Sequence, residues 1–132
     1  MPVRSLSSSV LRWPDRQTVD RAVREWATGL AQEQPDLVAV GYFGSYARGD
    51  WTVGSDVDLV VVLTSTTLPF ERRAAELDTT MLPVPADLLV YTRPEWQHMT
   101  QQPTGHRLSQ ETVWVYGADL LCAWGGSGGS TA

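Results

Sequence analysis

Three aspartates in this chain stand at the openings of two apolar runs. Asp56 and Asp58 open the run that ends at Leu63, and Asp87 opens Ala86–Tyr91. Residues i and i+2 of a strand share a face, so Asp56 and Asp58 project together. Two ionised carboxylates at that spacing repel each other unless a cation lies between them. An all-oxygen site of this kind suits Mg²⁺, which keeps several waters and shares substrate phosphates. An Asp-x-Asp pair by itself is also how an acidic turn before a strand reads. The residues upstream tip the balance. Gly44-Ser45 closes the apolar run Leu37–Phe43, with ten residues between Ser45 and Asp56. Gly44 permits close backbone approach and unusual backbone angles. Ser45 is placed to cap a short helix through Arg48, whose first N–H groups would be open to a phosphate. The stretch Gly44–Asp58 therefore reads as a triphosphate cradle and a metal site folded towards each other.

This pattern resembles the signature of the minimal nucleotidyltransferases (MNT) of the DNA polymerase beta-like superfamily. The likeness rests on Gly44-Ser45 and Asp56-x-Asp58 and runs roughly from Val19 to Gly117. It implies an α/β fold, a small mixed sheet with helices packed against it. It implies Asp87 as the third carboxylate, two Mg²⁺ ions held by Asp56, Asp58 and Asp87, and ATP phosphates held by Gly44 and Ser45. The implied reaction moves AMP from ATP to an acceptor hydroxyl and releases pyrophosphate, with Asp87 helping to deprotonate the acceptor. The resemblance also implies a partner, a small helical HEPN-type protein whose tyrosine accepts the AMP. In such toxin–antitoxin modules the nucleotidyltransferase is the antitoxin. Larger relatives carry an added helical domain for the second substrate, so template-directed polymerisation is not expected here. Two other readings stay open. One is a small-molecule nucleotidyltransferase of the aminoglycoside-modifying kind, its acceptor site completed by a homo-oligomer. The other is a module that neutralises its partner by contact alone.

The loop between the two halves carries further candidates. Arg48 is equally placed to meet a phosphate or to pair with Asp50. Ser55 either touches phosphate or shapes the approach to Asp56, and the second reading is the simpler. Trp51 either stacks on a base or covers a core edge, as a loop Trp more often does. His98 and His106 have no partner at metal-ligand spacing.

The remaining sequence supplies the frame. At 132 residues with 42% apolar content the chain is long enough for one domain with a real core. Its net charge of −5 argues against a free-standing nucleic-acid binder. A single cysteine, Cys122, excludes an internal disulfide and suits a reducing cytoplasm. No stretch has the apolar length of a membrane span. Residues 1–14 read as a Ser-rich arm without a signal-peptide core, 15–124 as the nucleotidyltransferase domain, and 125–132 as a flexible Gly/Ser tail.

Within the domain, Asp15 is placed to cap a helix reaching about Gln34, with Val19, Ala22, Val23, Trp26 and Leu30 as its apolar stripe. The spacing of Phe70, Ala74, Leu77 and Met81 predicts a crossover helix from Pro69, with Arg72 and Arg73 on its wet side. Pro83 and Pro85 end it before the strand bearing Asp87. Thr92-x-x-Glu95 reads as a capping box, with Pro103 and Gly105 breaking the segment that follows. Thr112–Tyr116 reads as a last, edge strand. Ala118–Trp124 is an apolar segment that either docks a partner or closes the core.

Overall fold

The computed structural model describes residues 13–118. Cys122, the Gly/Ser tail at 125–132, all of the arm before Trp13 and all of the 118–124 segment after Ala118 lie outside the described residues. Trp13 packs against the main core, and the Pro14 carbonyl accepts the Tyr46 hydroxyl at 2.9 Å.

Helix α1 (Arg16–Glu33) begins where Asp15 accepts the Thr18 N–H at 2.9 Å. It ends before Pro35, which pushes Gln34 into an extended conformation. Val19, Val23, Trp26, Ala27 and Leu30 are its buried stripe. Strand β1 (Leu37–Phe43) follows, then a one-turn helix α2 (Ser45–Arg48), then β2 (Val57–Leu63). β3 (Ala86–Thr92) pairs parallel with β2, while β4 (Val113–Tyr116) pairs antiparallel with β1 on the far side. β1 and β2 are antiparallel, so the order β3-β2-β1-β4 is a mixed sheet. This is the expected α/β architecture.

The strand period of two divides the core. Val57, Leu59, Val61 and Leu63 lie with the α1 stripe in the larger cluster. Val60 and Val62 lie in the smaller cluster with Trp96, Met99 and Leu108 from α4 (Arg93–Thr100) and α5 (Pro103–Glu111). Asp58 belongs by period to this second face.

The crossover between β2 and β3 departs from its expected form. Its helix shrinks to α3 (Phe70–Arg73) and a 3₁₀ turn over Ala74–Glu76. Phe70 and Met81 are 43% and 58% exposed, whereas Arg73, expected on the wet side, is buried. The Arg73 guanidinium donates to the Leu68 and Val90 carbonyls and to both oxygens of Glu95. A planar cation with four acceptors outweighs the apolar periodicity of a short segment. Downstream, Asp78 Oδ1 accepts the Thr80 N–H and hydroxyl and offers the backbone a turn in place of a helix.

The capping box forms as expected, with Thr92 and Glu95 satisfying each other's backbone N–H at the start of α4. Pro103 and Gly105, expected as breakers, instead begin a helix. Pro103 occupies the first turn of α5, where its missing N–H costs nothing. Gly105 lies so close to the Met99 carbonyl that a Cβ there would collide with it, which lets α5 pack against α4.

Candidate active site

Four segments converge at one end of the sheet: the end of β1, the starts of β2 and β3, and the end of α5. Antiparallel pairing sets Phe43, the last residue of β1, opposite Asp58. Parallel pairing sets Asp87 opposite Asp58 on the other side. Asp58 is half-buried; Asp56 and Asp87 are exposed beside it. Asp56 precedes the first residue of β2. The sequence-derived carboxylates are thus gathered on one edge, with Asp58 innermost.

The electrostatics follow from that crowding. Burial, then the charges of Asp87 and Asp56, push the Asp58 carboxyl above its ordinary value; Arg48 offsets part of this. Such a site is relieved by a cation. Among the described residues no three His, Cys, Asp or Glu side chains close into a ready metal cage. The donor set nevertheless fits Mg²⁺, a hard cation that needs one or two carboxylates and takes its other ligands from water and substrate phosphates. Asp58 and Asp87 are the paired donors, with Asp56 at the mouth.

Gly44 ties the two halves of the motif together. Its backbone sits at φ 77°, ψ −150°, a region essentially limited to glycine. A Cβ there would collide with Asp58 Oδ2. The turn therefore lies directly against the innermost carboxylate. Ser45 is the first residue of α2 rather than its cap; Gly44 is the cap residue and contributes no side-chain bond. The Ser45 carbonyl accepts the Gly49 and Asp50 N–H groups, which fixes the turn after α2.

The loop residues take their local roles. Arg48 is exposed and pairs with Asp50 at 3.2 Å through Nε and with Glu111 at 3.4 Å through Nη1. The Asp50 bond is the main reason its pKa lies above the ordinary value. Ser55 Oγ accepts the Thr52 N–H at 2.8 Å, closing the turn that delivers Asp56. Trp51 stacks on buried Tyr46, with ring centres 5.6 Å apart and planes 7° from parallel, and covers a core edge.

Glu111 is the site residue that sequence reasoning missed. Its Oε2 accepts the Gly44 N–H at 2.6 Å, and its charge reaches Asp58. The one available signal was the alternating Thr112–Tyr116 strand, which had to start beside some other strand's end and bring Glu111 with it.

No curated protein matches this chain. The crystal structure of a candidate nucleotidyltransferase from Sulfolobus solfataricus is similar in fold, with a TM-score of 0.56 and 22% identity over 75% of this chain and 80% of that one. Residues 23–107 match the nucleotidyltransferase domain family. That span covers most of the sheet, the Gly44-Ser45 turn and all three aspartates, and the chain belongs to the nucleotidyltransferase domain family.

Proposed function

We propose that this nucleotidyltransferase moves AMP from ATP to an acceptor hydroxyl with Mg²⁺ bound at Asp56, Asp58 and Asp87. The observation that carries the reading is the Asp58–Asp87 rung, with the Gly44 turn seated against Asp58. When bound, Mg²⁺ supplies charge neutralisation at the phosphates and the attacking oxygen.

The chain's own residues do the rest. Ser45 brings its hydroxyl to the β- and γ-phosphates, Gly44, whose own N–H is held by Glu111, lets the backbone approach them closely, and Arg48 lends positive charge at the same end. Ser55 holds the loop that presents Asp56. Asp87 takes the acceptor proton as the acceptor oxygen bonds to the α-phosphorus. The bond from that phosphorus to the bridging oxygen breaks, and pyrophosphate leaves. Catalysis rests on positioning and charge, as in other phosphoryl transfers.

The acceptor we favour is a tyrosine on a small helical HEPN-type protein, which makes this chain an antitoxin that works by AMP transfer. Support comes from the likeness to minimal nucleotidyltransferases, joined to a domain match that includes the whole motif. The test is incubation with ATP labelled at the α-phosphate, Mg²⁺ and host lysate, for the wild type and the Asp56→Asn/Asp58→Asn double variant. A labelled protein band with the wild type alone is expected. Label on a small molecule would move the acceptor to the drug-modifying class. No label from folded protein would overturn the enzymatic reading.

A further inference from the structure

We propose that Glu111 is a positioning residue for nucleotide binding, holding the Gly44-Ser45 turn and Arg48 in the geometry that receives a triphosphate. The inference rests on the nucleotidyl-transfer reading above.

Register is the first argument. Gly41 pairs with Trp114 and Tyr42 with Val113, so the same ladder, continued past the end of β1, sets Gly44 opposite Glu111. A side-chain bond stands there in place of a backbone rung: Gly44 N–H to Glu111 Oε2, 2.6 Å. The carboxylate is largely covered, with its side chain 24% exposed. Such a bond is stronger than a neutral backbone rung.

The turn's own weakness is the second argument. Helix α2 is four residues long and has no side-chain cap bond. Gly44 brings no side chain to hold it, and its conformation is one that few residues adopt. The local bonds of the turn are accepted by the Gly44 and Ser45 carbonyls; the Gly44 N–H is held instead by Glu111, from a helix far along the chain.

The orientation of Arg48 is the third. Asp50 takes Nε and Glu111 takes Nη1, which aims the planar guanidinium. Among the described residues no acceptor takes Nη2, so part of the fork is left to donate. Two carboxylates, Asp50 in the adjoining loop and Glu111 at the end of α5, thus reduce the freedom of a long side chain before a phosphate arrives.

The experiment measures Mg²⁺–ATP binding by calorimetry for the full chain as wild type, Glu111→Ala and Glu111→Gln, which needs no acceptor. The Gly44 amide proton shift is followed in each protein without nucleotide. Glu111→Ala is expected to weaken binding about tenfold and to shift the Gly44 amide upfield. Glu111→Gln keeps an acceptor oxygen and is expected to restore most of the affinity. Restoration by Gln is the readout that simple loss of stability would not give. Unchanged or tighter binding in Glu111→Ala would overturn the inference, leaving Glu111 idle or a competitor of the phosphates, while nucleotidyl transfer still stands. Absence of ATP binding by the wild type itself would overturn the nucleotidyl-transfer reading and this inference together.

Discussion

Asp58 and Asp87 occupy the same rung of the parallel β2–β3 ladder, with Asp58 the more buried of the two. Their closeness is a property of the strand pairing rather than of loop conformation. Any shift of β3 by one residue would turn Asp87 to the opposite face of the sheet. The pair is therefore held in place by the apolar residues behind it, Leu59 and Val61 on one face and Val60 and Val62 on the other.

Asp58→Asn should lower AMP transfer by at least about 100-fold without unfolding the protein. The folded state pushes the Asp58 carboxyl above its ordinary value, so ionised Asp58 opposes folding once pH rises above the unfolded value. A neutral Asn removes that opposition. Equal or higher melting temperature, with transfer lost, is the expected pair of results. A destabilised variant would overturn the view that the Asp58 charge opposes folding.

Gly44→Ala should destabilise the protein by about 1–3 kcal/mol, because alanine resists the backbone angles there. The collision with Asp58 Oδ2 adds a second penalty and displaces the innermost carboxylate. Urea titration reads the first effect and ATP binding the second. A variant as stable as the wild type would show that this turn can relax into another conformation.

Two other glycines should respond in opposite directions. Gly29 lies exposed within α1 with open space where a Cβ would go, so Gly29→Ala should stabilise by about 0.5–1 kcal/mol. Gly105 lies in α5 against the Met99 carbonyl, so Gly105→Ala should destabilise by about 1–3 kcal/mol despite alanine's better helix propensity. Paired denaturant curves check both signs at once.

Acid should loosen the contact between α3 and α4. The Arg73 guanidinium, helped by the Thr92 bonds and against the opposing effect of burial, holds the Glu95 carboxyl down at about 2. A depressed carboxylate stabilises fully above its unfolded value of 4.5 and loses that contribution as pH falls towards 2. Glu95 is 44% exposed, so solvent screening reduces the effect to about 1 kcal/mol. Glu95→Gln should remove this part of the acid dependence, measured as stability against pH. Arg73→Lys should fail to replace Arg73, since one ammonium cannot span two carbonyls and both carboxylate oxygens.

The parts of the site that could be read from sequence are those written in local spacing. Asp56 and Asp58 follow the period of a strand, and Gly44-Ser45 marks the end of the one before. Asp87 could be placed at a strand start, but nothing local said that its strand would lie beside β2. Glu111 left only the indirect sign of the strand that follows it, because one Glu at the end of a nine-residue helix looks like any solvated residue. Arg73 misled for the opposite reason. It falls on the polar side of a periodic pattern, while its partners Val90 and Glu95 lie on other elements. Pro103 misled through its two meanings, since the residue that stops one helix also suits the first turn of the next.

The Gly44–Glu111 bond joins residues 67 positions apart, and the sheet places the first strand between partners from the middle and the far end of the chain. Contacts of such long sequence separation form slowly, because loop closure comes before any reward. During synthesis the Gly44-Ser45 turn emerges long before Glu111, which bonds to it. The nascent chain therefore carries every aspartate of the motif before the Gly44 turn beside them has its Glu111 partner, and full activity should appear only after the segment carrying Glu111 and β4 has left the ribosome.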